Sequence, residues 1–443
     1  MTYSEFLKDL NARGMFRIRP DLNRIRRVLT ALGQPQNHWP TIHIAGTNGK
    51  GSVAAALESV LRACGYRTGL YTSPHLLDLR ERIQVNGRPV IDDFCSIADD
   101  VLQAEKRARA PLTYFELLTA IAFQCFARMK IDIGIVECGL GGLWDATNVL
   151  NQPLASLITS IGLDHVEWLG KNEFEIASQK AGIIKKHGYA ISGVRGKGRD
   201  SIVHTAREKQ AKLVQIDADF SAEGLTASLR SGKQTIRFRC HGEPPEIIPF
   251  GLLGRYQVDN AALVMAALRR LKQLGWSIPT LARDYALNQI HWPGRFQIIR
   301  RPRSTTVLLD GAHNPPAMKQ FLDALESSDY QNIPKTFIFS AFKDKDYRTM
   351  ARMVMPHSSE IFLAPLPAPR GASLQQLRSA FSSALCPVHT AKTPKKALAQ
   401  ALRATPHENL IVATGSFALV GRLLRLLQRE PVHLQTPTET AHV

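Results

Sequence analysis

The chain has 443 residues, a formal charge of +18, 44% hydrophobic residues and 21% charged residues. That length supplies two or three cores, and that balance belongs to a folded globular protein rather than a disordered or collagenous one. No uninterrupted apolar run approaches the length of about 18 residues that a membrane-spanning helix needs. The stretch from Met1 to Arg19 interleaves acids, bases and apolar side chains, so it does not read as a signal peptide, and a cytoplasmic protein is expected. The six cysteines (Cys64, Cys95, Cys125, Cys138, Cys240, Cys386) lie far apart with no C-x-x-C pair. Free thiols are expected, and a structural zinc site is not. The positive balance favours anionic ligands in general. Because the basic residues are scattered, it reads as a solvated surface with a steering role rather than a nucleic-acid interface.

In chain order, Thr41 to Ala45 predicts a short strand, followed by a Gly-rich turn and a helical segment from Ser52 to about Ala63. Tyr66 to Tyr71, Ile131 to Glu137 and Leu154 to Ile161 read as further strands. Their alternation with helical segments predicts a doubly wound parallel sheet. The region from Ile191 to Ile248 reads as strand-like with a small antiparallel excursion. Asn260 to Leu274 carries a helical apolar period. A second β/α series has strands at Thr306 to Leu309, Thr336 to Ser340, Glu360 to Ala364 and Leu410 to Ala413. The boundary between the two series is expected between His291 and Arg303, where Trp292-Pro293-Gly294 interrupts any regular element. The tail after Arg429 is polar and expected to fray.

The sharpest local signal is Gly46-Thr47-Asn48-Gly49-Lys50-Gly51-Ser52. It follows a strand and opens a helix, the setting of a phosphate-cradling loop. Glycines let backbone N–H groups approach phosphate oxygens, and the helix N-terminus adds a favourable dipole. Lys50 suits the β- and γ-phosphates, and Ser52 suits Mg²⁺. The loop is shorter than the common G-x-x-x-x-G-K-[ST] form, and Gly51 separates the lysine from the serine.

Further segments follow in order: Ser73-Pro74-His75-Leu76 with Glu81-Arg82-Ile83, Thr113-Tyr114-Phe115-Glu116, Glu137-Cys138-Gly139-Leu140-Gly141-Gly142, and Asp145-Ala146-Thr147-Asn148. Then come Thr159 to His165, Lys180 to Lys185, Asn260-Ala261-Ala262, Trp292 to Arg295 and Asp310-Gly311-Ala312-His313-Asn314-Pro315. Over nearly the whole chain this ordered set resembles the folylpolyglutamate synthase / dihydrofolate synthase family, a branch of the Mur-type ATP-dependent amide ligases.

The resemblance implies an α/β fold: a P-loop-type doubly wound parallel-sheet domain over residues 1–295, which binds ATP and folate, then a smaller Rossmann-like ligase domain over residues 296–430, with 431–443 a polar tail. It implies addition of L-glutamate to dihydropteroate or to the glutamate tail of reduced folates, through an acyl phosphate, by a monomer. ATP and two Mg²⁺ ions are the implied cofactors. Thr47 to Ser52, Asn260, Arg295 and Asp310 would bind ATP, with Asn260 on adenine and Asp310 on ribose. Arg295, just after the break between domains, would reach ATP on domain closure. Ser52, Glu137 and His165 would hold magnesium. Lys180, carbamylated by CO₂, would ligate a second ion. Lys50, Lys180 and His313 are the expected catalytic residues. Ser73, Pro74, His75, Arg82, Phe115 and Asp145 are the expected folate residues.

Blander readings exist for several of these. A helix N-cap is a rival reading for Asn260, Phe115 and Tyr114 read equally as core aromatics, and His165 reads as a loop histidine, since imidazole suits softer metals than magnesium. Leu143, Gln179 and Tyr256 depart from an arginine, a glutamate and a histidine frequent in the family, and bear on substrate preference. Two rivals from other classes are a nucleic-acid-binding protein, supported by charge alone, and a cell-wall Mur ligase. The second would carry a UDP-binding domain before its phosphate loop, where 45 residues precede Gly46 here. A ligase of the same family acting on another carboxylate is the nearest alternative.

Overall fold

A computed structural model describes residues 1–14, 19–228, 232–300, 305–367 and 370–429; the tail expected to fray lies outside them. The chain falls into two compact units. The first gathers Met1–Ala227, Lys233–Gly251 and Arg255–His291, and the second continues from Trp292 and includes Leu252–Gly254.

The first unit is built on eight strands: β1 (Thr41–Ala45), β2 (Thr68–Tyr71), β3 (Ile83–Val85), β4 (Arg88–Pro89), β5 (Ile133–Glu137), β6 (Ala155–Ile158), β7 (Tyr189–Ser192) and β8 (Lys212–Gln215). They lie in the order β4-β3-β2-β5-β1-β6-β7-β8. All pairings from β2 to β8 are parallel, and β3 and β4 add an antiparallel edge. Every residue of β1 and β5 is buried, which accounts for the unbroken apolar run Ile133 to Val136 in β5: both faces of a central parallel strand are covered.

Gly134 on β5 is one consequence. A Cβ there would overlap the Trp39 ring. The bare Cα lets that indole lie on the strand, edge-on to Phe123 and Phe126 at ring centroid distances of 5.5 and 5.4 Å. Such aromatic pairs contribute about 0.5–1.5 kcal/mol each beyond their buried area.

The region from Ile191 to Ile248, expected to be strand-like, holds a helix, Gly198–Glu208. Its four buried positions include Gly198 and Ser201 beside Ile202 and Ala206, so no apolar stripe advertises it. The antiparallel excursion follows as β9 (Phe220–Ser228), β10 (Lys233–Cys240) and β11 (Glu246–Phe250), with β10 central. The next helix runs Arg255–Gln273, starting ahead of the residues that carry its period.

The second unit has a six-stranded sheet ordered β12-β13-β17-β14-β15-β16: β12 (Gln297–Ile299), β13 (Thr306–Leu309), β14 (Lys335–Phe339), β15 (Glu360–Leu363), β16 (Val388–Thr390) and β17 (Leu410–Thr414). Only β12 is antiparallel to its neighbour. The four expected strands are present; β12 and β16 are three-residue edge strands too short to leave a period. Among the described residues no helix is long and apolar enough to cross a membrane.

Parallel order decides where function can sit. The chain leaves β1 towards β2 on one side and leaves β6 towards β7 on the other. The carboxyl ends of the adjacent β1 and β6 are therefore a topological switch point, where open α/β sheets present a crevice. Gly46 follows β1, Ser73 lies beyond β2, Glu137 ends β5, and Thr159 follows β6.

Candidate active site

The loop Gly46 to Gly49 joins β1 to the helix Lys50–Ala63. Gly46 and Gly49 adopt φ of +148° and +89°, a region that side chains disfavour. Space demands glycine as well: a Cβ on Gly46 would overlap Thr159 Oγ1, and one on Gly49 would overlap Asn260 Oδ1.

The loop after β6 clamps this turn. Thr47 N–H donates to Ser160 O at 2.7 Å, and the Thr159 and Ser160 hydroxyls donate to Asn48 O at 2.6 and 3.1 Å. Thr47 Oγ1 donates to Gly162 O at 3.1 Å. The segment from Thr159 to Gly162 thus braces the Gly-rich turn.

Two lysines converge on the turn. Lys50 Nζ donates to Gly46 O at 2.9 Å and Thr47 O at 3.2 Å, and lies 4.0 Å from Glu137 Oε1. Lys180, buried on the helix Glu173–Ala181, donates to the same Gly46 O at 2.9 Å. Burial, and then the charge of Lys50, bring the Lys180 pKa down to about 7.

Glu137 lies level with Ile44 in the β1–β5 register and is buried. Its other oxygen, Oε2, accepts Ser73 N–H at 3.1 Å. One carboxylate therefore touches both the phosphate loop and the segment after β2. Ser52 is buried, and its Oγ accepts Gln257 Nε2–H at 3.3 Å.

His165 follows on the same loop after β6. It sits at φ +50° ahead of a four-residue helix, with its side chain 40% exposed and Nε2 3.9 Å from Asp164 Oδ2. Among the described residues no three His, Cys, Asp or Glu side chains cluster as a metal site. The expected set has only two such residues, Glu137 and His165, and otherwise relies on Ser52 and Lys180.

The segment from Ser73 to Arg82 is held by Glu81, whose carboxylate accepts the N–H groups of Leu76, Leu77 and Asp78 at 2.8, 3.0 and 2.8 Å. His75 Nδ1 accepts Arg82 Nε–H at 3.0 Å. Burial and then the Arg82 charge lower the His75 pKa to about 4, so its imidazole is the neutral acceptor this bond requires. The Arg82 guanidinium faces the Tyr114 ring at 5.8 Å. Tyr114 is buried and belongs to the core, whereas Phe115 is partly exposed and lies on the bare Cα of Gly139.

Asp145 is buried and accepts from Leu140 N, Thr147 N and Thr147 Oγ1 at 2.8, 3.0 and 2.5 Å. Its role is to shape the Gly139 to Thr147 turn. Burial raises its pKa against the pull of these bonds.

Asn260 lies within the helix Arg255–Gln273, beyond its first turn, so the N-cap reading is wrong: its backbone is helical, not a flanking residue. Its Nδ2 donates to Gln257 Oε1 at 2.8 Å. Gln257 escaped the sequence reading; the only signal was its position three residues before Asn260, on the same helix face.

In the second unit, the Arg295 guanidinium lies over the Phe417 ring at 4.4 Å, and among the described residues its buried Nε has no hydrogen-bond partner. His313 faces the same ring at 5.2 Å, with Nδ1 donating to Gly311 O at 2.9 Å. Phe417 too was missed, because an aromatic at a helix start reads as core. Asp310 follows β13 and accepts Phe296 N–H and Ala312 N–H, each at 2.8 Å, so both its oxygens already fix backbone.

Residues 44–268 match the family model of the Mur ligase middle domain, and residues 294–417 match that of the Mur ligase glutamate ligase domain. The dihydrofolate synthase/folylpolyglutamate synthase of Bacillus subtilis (strain 168) is 33% identical over 385 residues, covering 85% of this chain and 88% of that protein. The folylpolyglutamate synthase of Lacticaseibacillus casei is 31% identical over 436 residues, covering 96% and 99%.

The chain belongs to the folylpolyglutamate synthase/dihydrofolate synthase family.

This places it among the ATP-dependent amide ligases. The family likeness extends to solved structures. Escherichia coli FolC in complex with DHPP and ADP superposes with a TM-score of 0.87 at 29% identity, over 96% of this chain and 97% of that one. The Yersinia pestis bifunctional folylpolyglutamate synthase/dihydrofolate synthase with Mn, AMPPNP and L-glutamate bound gives 0.84 at 28%, over 96% and 98%. The chain spans 50% of a longer family member, the probable bifunctional folylpolyglutamate synthase/dihydropteroate synthase of Haloferax volcanii.

Proposed function

We propose that this chain adds L-glutamate to dihydropteroate, to the glutamate tail of reduced folates, or to both, using ATP. The observation that carries this reading is the Glu137 carboxylate, shared between Lys50 of the phosphate loop and the Ser73 backbone. It sets a nucleotide-binding element beside the segment that resembles the family's acceptor loop.

A carboxylate oxygen is a poor leaving group, so the acceptor needs activation. Its oxygen attacks the γ-phosphorus of ATP, the bond to ADP breaks, and an acyl phosphate forms. The glutamate amine attacks the acyl carbon, inorganic phosphate departs, and the amine proton is released. Catalysis then rests on holding anions together and neutralising them.

Lys50 would neutralise the terminal phosphates, and the amides from Thr47 to Ser52 would cradle them. Arg82, oriented by His75, would hold acceptor charge. Ser73, Pro74 and Phe115 would border the acceptor, and Asp145 would fix the turn behind it. From the second unit we assign Arg295 to phosphate, consistent with its unpartnered Nε, Asp310 to ribose and His313 to the terminal phosphoryl group.

Ser52 and Glu137 supply hard oxygens that fit Mg²⁺, with His165 as a nitrogen donor. A divalent cation held there would offset phosphate charge. A Lys180 pKa of about 7 leaves neutral amine at physiological pH, as carbamate formation requires. The nitrogen lone pair would attack CO₂, an N–C bond would form and a proton would be lost, giving an anionic ligand for a second ion.

The test is ATP-dependent incorporation of labelled glutamate, comparing dihydropteroate with tetrahydrofolate as acceptor. Elongation of either supports the proposal. Elongation of neither, with another carboxylic acid consumed instead, overturns the folate assignment and leaves the ligase chemistry.

A further inference from the structure

Gln257 is fully buried, and both ends of its carboxamide are engaged. Nε2 donates to Ser52 Oγ at 3.3 Å, while Oε1 accepts from Asn260 Nδ2 at 2.8 Å. With the two carboxamides oriented this way each donor meets an acceptor: Asn260 Nδ2 meets Gln257 Oε1, and Gln257 Nε2 meets Ser52 Oγ.

The line continues at both ends. Asn260 Oδ1 lies against the bare Cα of Gly49, where any Cβ would overlap it. Ser52 occupies the first turn of the helix that Gly49 opens. The path Gly49–Asn260–Gln257–Ser52 is therefore a closed circuit joining the phosphate-loop helix to the helix Arg255–Gln273. By accepting from Gln257, Ser52 Oγ commits one lone pair and has its remaining lone pair and hydroxyl proton confined to other directions.

We propose that Gln257 is a positioning residue that fixes the Ser52 hydroxyl and the Asn260 carboxamide with respect to each other, so that recognition of the nucleotide base and binding of the metal–phosphate group are coupled through one buried side chain. The inference rests on the assignments of Ser52 to metal and Asn260 to adenine. It adds a residue that touches neither ligand, and predicts that a change at one end is felt at the other.

The test reads nucleotide binding directly, by titrating the full chain with Mg·AMPPNP and Mg·GMPPNP, separately from glutamate incorporation. Gln257→Met keeps volume and removes both hydrogen bonds. The expected result is a folded protein whose adenine-over-guanine preference falls about tenfold, and whose half-saturating Mg²⁺ rises about tenfold, the scale of a lost buried hydrogen bond at each end. In a Ser52→Ala background the Mg²⁺ effect of Gln257→Met should vanish while the base effect persists, as coupling through Ser52 requires.

Asn260→Ala is a second arm that does not depend on Gln257→Met folding. It leaves Gln257 in place but without its acceptor-side partner, and should raise half-saturating Mg²⁺ at saturating nucleotide. A loss of affinity equal for both bases and unchanged in the Ser52→Ala background, or an Asn260→Ala protein with wild-type Mg²⁺ dependence, overturns the proposal. Wild-type nucleotide binding without glutamate incorporation into any folate would instead overturn the functional reading and leave this one standing.

Discussion

Lys50 and Lys180 donate to one carbonyl oxygen, that of Gly46, each at 2.9 Å. Two ammonium groups share a single neutral acceptor, and the buried one bears the cost. An unfolded chain keeps the Lys180 proton up to a pKa near 10.5, whereas the folded chain releases it at about 7. Between those values the unfolded state holds the extra proton, so this residue's contribution to stability improves as pH rises and is worst below pH 7. Lys180→Met should therefore stabilise the CO₂-free protein most at about pH 6, with the gain shrinking towards about pH 10. Urea midpoints of variant and wild type across that range check it; a difference that stays flat with pH sinks the assignment.

Glu137→Gln separates the two contacts of that side chain. The amide oxygen still accepts Ser73 N–H, but the negative charge beside Lys50 is gone. Turnover should fall about 100-fold or more, the scale of a lost electrostatic group at a phosphoryl-transfer site, with acceptor KM nearly unchanged. Glu137→Ala should raise acceptor KM as well. Steady-state kinetics of the pair decide it, and an acceptor KM that rises equally in both variants would show that charge, not the Ser73 bond, governs acceptor binding.

Phe417→Leu removes the ring shared by Arg295 and His313 while keeping an apolar side chain. ATP KM should rise about three- to tenfold, the range of a lost cation–π contact. Gly311→Ala should act in the same direction, because its Cβ would strike the Phe417 ring. Unaltered nucleotide kinetics in both variants would mean the stack does not position Arg295.

His75 stays neutral above about pH 4 in the folded chain. Acceptor KM should therefore show no inflection near the ordinary histidine pKa. Because the unfolded state takes up that proton first, stability should fall as pH drops from 6.5 towards 4. His75→Ala leaves Arg82 Nε without its acceptor and should raise acceptor KM about tenfold. An acceptor KM that titrates around pH 6.5 in wild type, and not in the variant, would show a protonatable His75 instead.

The sheet and phosphate loop were legible because burial on both faces leaves unbroken apolar runs such as Ile133 to Val136, and because Gly46 and Gly49 answer a backbone demand. The helix Gly198–Glu208 was not, since glycine and serine occupy half of its buried positions. The candidate residues at strand ends were legible as types. Their partners were not: Gln257 to Ser52 spans 205 positions, and Thr159 to Asn48 spans 111. Sequence spacing carries no record of such long-range hydrogen bonds. Asn260 shows the converse limit, since a residue type favoured at helix starts lies inside a helix when a buried amide partner waits there.

Glu81 gathers three successive amides, those of Leu76, Leu77 and Asp78, onto one carboxylate. The segment is thereby moulded before any ligand arrives, and little chain entropy remains to be lost on association. Discrimination among acceptor acids at this rim should then come from a preset outline, so that a poorly shaped acid is refused at encounter rather than accommodated by a yielding wall.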